Sequence, residues 1–120
     1  MYHVSKDKRA VKSAQLIWEG LEKCLREKEL GKIRVADISE KSYVSRATFY
    51  RLFDSIEDVL VYECDLIFKE ITSGLENGSF ASSKDLILFF IKQWLDQKML
   101  MRVLLENHLT NILYETHMKN

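Results

Sequence analysis

Between positions 45 and 51 the chain places two guanidinium groups, two hydroxyls and a phenol within two helical turns: Ser45, Arg46, Thr48, Tyr50 and Arg51. These side chains can hydrogen-bond to phosphate oxygens, and arginine presents a planar fork that also fits guanine edges. Phe49 and Phe53 are four residues apart, a spacing that turns both rings to the other side of a helix. The expectation is a short helix with an apolar back and a front suited to phosphates and base edges. Lys6, Lys8, Arg9 and Lys12 make a second cationic cluster. At a helix start they oppose the dipole and gain nothing from the helix itself. A solvated helix end and a phosphate contact are both open readings there.

Other chemistry is poorly provided for. The histidines are His3, His108 and His117. The last two are too far apart in sequence to share one helical turn as metal ligands. There is no glycine-rich phosphate loop, and no serine, histidine and acid arrangement can be built from so few histidines. No catalytic residue, metal site or cofactor is expected, and the chain does not read as an enzyme. Cys24 and Cys64 form no C-x-x-C pair. They read as reduced, structural thiols of a cytoplasmic protein. No apolar run is long enough to span a membrane. The start, MYHVSKDKRA, is polar and then amphipathic, unlike a signal peptide.

The formal net charge is zero. Residues 1–60 carry 12 Lys and Arg against 10 Asp and Glu, and residues 61–120 carry 6 against 8. This balance permits a local basic face on the first half but not a basic protein overall.

The elements that must hold these residues are helices. The chain has no proline and only 4 glycines, and 47% of it is hydrophobic. That composition favours long helices with a core between them. A first helix is expected from Lys6 or Lys8 to about Lys28, capped by Ser5, with Ala10, Ala14, Ile17, Leu21, Cys24 and Leu25 as its apolar stripe. Gly31 ends this unit. A second helix is expected over Val35–Ser42, with Ser39 and Ser42 small enough for another helix to approach closely. A third runs from about Ser45 to Leu52, with Ser45 as its cap. Ser55 and Asp58 fit a capping box, and Phe53 and Val59 a hydrophobic staple, opening a fourth helix from Ile56 to about Leu75. Gly74, Asn77, Gly78 and Ser79 mark the clear break of the second half. A fifth helix, capped by Ser82 with Asp85, is expected from Ser83 to about Glu106. It is apolar nearly all round at its start, as a central or interface helix would be. A sixth segment covers His108 to His117. Among the aromatic residues, Phe68, Phe89, Phe90 and Trp94 suit either core packing or the lining of an apolar ligand pocket between helices.

The stretch IRVADISEKSYVSRATFYRLFDSIEDVL, residues 33–60, resembles the N-terminal signature of the TetR family of bacterial repressors. Val35 and Ile38 match its second helix. Val44, Ser45, Thr48, Phe49, Tyr50 and Phe53 match its recognition helix and exit, and Ser55, Glu57 and Leu60 match the start of its fourth helix, without insertion or deletion. The resemblance implies an all-α fold with two parts. Residues 1–60 would be a three-helix, helix-turn-helix DNA-binding domain. Residues 61–120 would be a helical connector and a partial effector and dimerisation domain. It implies a transcriptional regulator, a repressor, that binds double-stranded DNA in the major groove as a homodimer on a palindromic operator, released by a small apolar effector. Ser45, Arg46 and Ala47 fall where relatives meet base edges. Thr48 and Tyr50 fall where they meet phosphates, Arg51 can meet either, and Arg34 can reach the backbone.

The departures from the signature are specific. Tyr43 replaces the usual turn glycine, Ser39 and Ser42 replace alanines, Arg34 replaces a capping threonine, Ile56 replaces a lysine, and Leu52 stands where histidine is common. The chain is also shorter than the family's usual length, as a fragment or a naturally short member would be. These departures motivate a rival expectation, a helical protein-interaction module of this fold with weak or lost DNA binding.

Overall fold

The computed structural model describes residues 1–78 and 80–119, and among these every regular element is helical apart from one antiparallel bridge between Tyr2 and Phe53. Seven α-helices follow one another: α1 Lys8–Leu25, α2 Val35–Ser42, α3 Arg46–Leu52, α4 Ile56–Asn77, α5 Ser83–Leu95, α6 Lys98–Glu106 and α7 Asn111–Lys119. A single 3-10 turn, Leu30–Lys32, separates α1 from α2. The chain divides into two compact units, Met1–Tyr62 and Glu63–Asn120.

In the first unit the helix ends follow local hydrogen-bond chemistry. The cap of α1 is Asp7 rather than Ser5: its carboxylate accepts the Arg9 N–H at 3.1 Å. The Ser5 hydroxyl instead accepts the Asp7 N–H at 3.3 Å. A carboxylate also places negative charge at the positive end of the helix, which a hydroxyl does not. The helix stops at Leu25, short of Lys28, and at its end the Glu27 N–H, by a tightened i→i−3 bond, shares the Cys24 carbonyl with the Lys28 N–H, 3.0 Å from each. Tightening of this kind satisfies the end of a helix without lengthening it. The α4 capping box is present, with Ser55 N–H to Asp58 at 3.0 Å and Asp58 N–H to the Ser55 hydroxyl at 3.3 Å.

Ile17 and Leu21 of α1, Ile38 of α2, Phe49 of α3, and then Phe53 and Leu60 are almost wholly shielded from solvent and make this unit's core. The α1–α2 contact is made close by Gly20. A Cβ placed there would lie 2.8 Å from the Cβ of Ser42. The expected role of Ser42 as a small residue under a neighbouring helix is met, with glycine as its counterpart. The chain start is pinned as well, which its polar sequence did not suggest. His3 N–H donates to the Leu52 carbonyl at 2.6 Å, and Asp54 N–H donates to the Met1 carbonyl at 3.1 Å. The Tyr2 ring packs edge-on to Tyr62 at 5.0 Å.

The second unit departs further from expectation. Helix α4 runs through Gly74 and ends at Asn77. Gly74 is therefore a packing glycine rather than a helix breaker, since a Cβ there would meet the Phe89 ring at 2.8 Å. The expected break thus begins only at Gly78, and Ser79 lies outside the described residues. The single expected helix from Ser83 to Glu106 is two helices, broken at Asp96 and Gln97. Neither glycine nor proline causes the break. Trp94, Leu100 and Val103 are all buried. On one straight helix Val103 would face away from Trp94, because nine residues make two and a half turns. The bend lets both be covered. Next, His108 takes the left-handed conformation, φ 56°, and Leu109 N–H closes back onto the Leu104 carbonyl at 2.8 Å. That is a Schellman-type stop, usually made by glycine. It shifts the last helix to Asn111–Lys119.

Candidate functional site

The arrangement of α2 and α3 depends on the turn between them. Tyr43 adopts φ 61° and ψ 17°, and its N–H caps the end of α2 on the Ser39 carbonyl at 2.9 Å. Left-handed backbone costs an L residue roughly 1–2 kcal/mol. Two serine hydroxyls help hold the turn in that conformation. Ser39 Oγ donates to the Val44 carbonyl at 2.6 Å, and Val44 N–H donates to Ser42 Oγ at 3.1 Å. Alanine at these positions would offer neither bond. Val44 is buried, while the Tyr43 side chain is 94% exposed. Sequence reasoning took both serines for their size alone. Their position just ahead of a turn was the available signal for side-chain bonding to the turn backbone.

Helix α3 begins on Ser45 as expected. The Ser45 hydroxyl accepts the Thr48 N–H at 3.1 Å and donates to Thr48 Oγ1 at 3.0 Å. Its one hydrogen is therefore used within the helix start, and the Thr48 hydroxyl hydrogen is left to point elsewhere. Phe49 and Leu52 are buried, whereas Arg46, Ala47, Tyr50 and Arg51 are exposed and Thr48 is half-buried. Positions 46, 47, 50 and 51 share one helical face by their spacing. The Tyr50 ring lies edge-on to Phe49 at 5.4 Å, which leans the phenol on the core and leaves it 56% exposed. Ala47 leaves that face shallow between the longer side chains.

Arg34 stands at the start of α2 with an exposed side chain. A guanidinium has no acceptor and cannot cap. Asp37 supplies the reciprocal half of a box by accepting the Arg34 N–H at 2.9 Å, and it also takes Lys28 Nζ at 3.2 Å. These two bonds, the backbone one first, hold the Asp37 carboxyl below the usual carboxylate range. Among the described residues none of Arg34, Arg46 and Arg51 is paired with a carboxylate. All three remain open to an outside anion. Leu52 is 3% exposed and belongs to the core. Ile56 is half-buried.

The aromatic residues singled out for a pocket do not stay together. Phe90 and Trp94 line a cleft of about 290 Å³ in the second unit, with Ile91 and Leu95 beside them on α5. Met101 of α6 and Leu113 and His117 of α7 complete it. Phe68 reaches this group only through His117, its ring 4.9 Å from the imidazole. Phe89 packs instead against Phe80, at 5.3 Å, and over Gly74. The residue missed was His117, which lies between Glu115-Thr116 and Lys119 on a helix whose sequence gives little sign of an inward face.

Both cysteines are buried. Burial pushes the Cys24 thiol up, and it pushes Cys64 up to about 12, so neither supplies a thiolate near neutral pH. Among the described residues no group of three His, Cys, Asp or Glu side chains could hold a metal ion, and no helix is long and apolar enough to cross a membrane. Compared with known proteins, the chain is matched by no family model, no curated protein and no solved structure.

Proposed function

We propose that this chain is a DNA-binding transcriptional regulator, with α2, the Tyr43 turn and α3 acting as a helix-turn-helix whose second helix enters the major groove. One observation carries the reading. α3 turns Phe49 and Leu52 inward and leaves Arg46, Ala47, Tyr50 and Arg51 on its open side, with the guanidinium groups of Arg46 and Arg51 uncommitted. Phe49 and Tyr50 are also among the residues that carry the resemblance to the TetR family. In this reading Arg46 and Ala47 meet base edges, and Thr48 and Tyr50 meet phosphates. Arg51 and Arg34 add charge beside them. Ser45 acts mainly as the cap that sets the helix start. One recognition helix reads only a short site, so two copies would bind a palindromic operator as a repressor dimer.

The test is selection of duplexes from a random pool, followed by fluorescence anisotropy at physiological salt. An enriched palindrome should bind with Kd below about 1 µM, tighter than ordinary non-specific binding. Arg46→Ala should weaken it about tenfold or more. Its thermal midpoint should not move, because Arg46 is exposed and unpaired. No enrichment, with Arg46→Ala and Tyr50→Ala binding non-specific duplex like the parent, would sink the proposal.

A second reading has its own observation. Ile87, Leu88, Ile91 and Leu95 of α5 are 45–60% exposed and fall on one helical stripe. A helical interaction module would use such a stripe and bind DNA weakly, with little dependence on salt. The same anisotropy series, run across salt concentrations, separates the two.

A further inference from the structure

Helix α5 keeps four large aliphatic side chains in solvent: Ile87 at 58%, Leu88 at 52%, Ile91 at 45% and Leu95 at 60% exposure. Leu88, Ile91 and Leu95 follow one another at three and four residues, which makes a seam of the kind that packs against another helix. The seam has two different edges. By the turn of the helix, Ile87 lies on the edge that continues into Phe90 and Trp94. Asp85 and Lys92, two turns apart, lie together on the opposite edge. Both are exposed, and among the described residues neither enters an ion pair.

This layout is self-complementary in one orientation. When two antiparallel helices are related by a two-fold axis, each edge meets the same edge of the second copy. With Leu88 set opposite Ile91 of the second copy, Asp85 comes within reach of the second copy's Lys92. By symmetry Lys92 then reaches the second copy's Asp85, so both charges find an opposite partner. Lys84 falls opposite Leu95, where its stem can cover the leucine while the ammonium stays in water. On the other edge, Ile87 of the second copy arrives beside the cleft lined by Phe90, Ile91, Trp94 and Leu95. The wall of that cleft is wholly apolar, which suits an aliphatic side chain. A parallel pair would instead set the Asp85 and Lys92 edge of one copy against the Ile87 edge of the other, and leave both charges unmet. An apolar centre with a polar rim is the usual anatomy of a protein interface.

We infer that α5 is a self-association surface, pairing antiparallel with α5 of a second copy of this chain. The inference supplies a pairing for the proposed dimer, but it stands on α5 alone and is tested without DNA, so either can fail separately. A helix of 13 residues is about 20 Å long, so the interface is small and the pair dissociates on dilution. Sedimentation equilibrium of the full chain over a concentration series should show monomers giving way to dimers and going no further. Ile91→Glu sets a carboxylate into the seam and should leave monomers at every concentration, with an unchanged circular dichroism spectrum. Lys92→Asp faces Asp85 with a like charge in both rim contacts and should raise the dimer Kd about tenfold, as should Asp85→Lys. The double variant Asp85→Lys/Lys92→Asp should recover the parent affinity. An equimolar mixture of the two single variants, one of them fluorescently labelled, should form mixed dimers more tightly than either variant pairs with itself. These charge variants alter exposed, unpaired side chains, so the test stays decisive should Ile91→Glu fail to fold. Monomers at every concentration would overturn the inference and leave the stripe to a different protein. So would a mass that climbs past two copies, a dimer indifferent to Ile91→Glu or Lys92→Asp, or single variants that show no preference for each other.

Discussion

The two units spend their apolar residues differently. In Met1–Tyr62 most large aliphatic side chains and both phenylalanines go inward, and the surface of α3 is left to arginine, tyrosine and alanine. From Glu63 onward, α5 leaves Ile87, Leu88, Ile91 and Leu95 largely uncovered. The same unit keeps the two unpartnered ring nitrogens beside a cleft. The first unit is close to satisfied by its own contacts, its one evident strain being the left-handed Tyr43. The second leaves more of its apolar side chains uncovered, and contiguous exposed apolar surface is characteristic of contact surfaces. A polar face open to solvent and an apolar face open to solvent are different surfaces, and each unit carries one of them.

The largest expected effect contrasts the two directly. Phe49 is 1% exposed, and Phe49→Ala should cost about 3–5 kcal/mol in urea unfolding. Leu88 is 52% exposed, and Leu88→Ala should cost less than about 0.5 kcal/mol in the dilute, monomeric chain. Comparable losses for the two would mean that the α5 stripe is covered and the contrast false. A smaller effect of opposite sign is expected in the turn. Tyr43→Gly removes the left-handed penalty while giving up almost no buried surface, and should stabilise the protein by about 0.5–1 kcal/mol. Destabilisation in the same measurement would mean that the tyrosine ring makes contacts that offset its backbone strain.

The smallest effect concerns acid. The folded Asp37 carboxyl is held below its unfolded value, first by the Arg34 N–H and then by Lys28. A depressed carboxyl stabilises the fold above the unfolded pKa and loses that contribution as pH falls through the folded one. Asp54 behaves likewise, through its bond from His3 and then the chain amine. Thermal midpoints should therefore slope downward below about pH 4, less steeply in Asp37→Ala. An unchanged slope in that variant would remove Asp37 from the account.

How far the sequence could be read varied by element. The α2 boundaries were legible, since Val35–Ser42 lies between an extended entry and a turn. So was the α3 start, because Ser45 and Thr48 are local partners. The inward set of Phe49, Phe53 and Ile38 followed from helical period alone. The rest was illegible for identifiable reasons. The end of α1 depends on which N–H groups turn onto Cys24. The α5–α6 break is made by the need to bury Trp94 and Val103 together, a demand that arises only once neighbouring helices are in place. Of the aromatic residues, Phe90 and Trp94 line a cleft and Phe89 packs over Gly74, while His117 comes to the cleft from a helix with only a weak pattern.

By itself, then, the sequence determined the all-α class, the caps of α3, α4 and α5 and the inside and outside of the short helices, because these depend on residues within one or two turns of each other. Tertiary structure decided the bend at Asp96–Gln97, the role of Gly20 and Gly74 as contact points, the bracing of a left-handed Tyr43 by two serines, and the meeting of Trp94 with His117. Those features depend on groups brought together from different elements, where close packing and the satisfaction of buried polar atoms outweigh local preference.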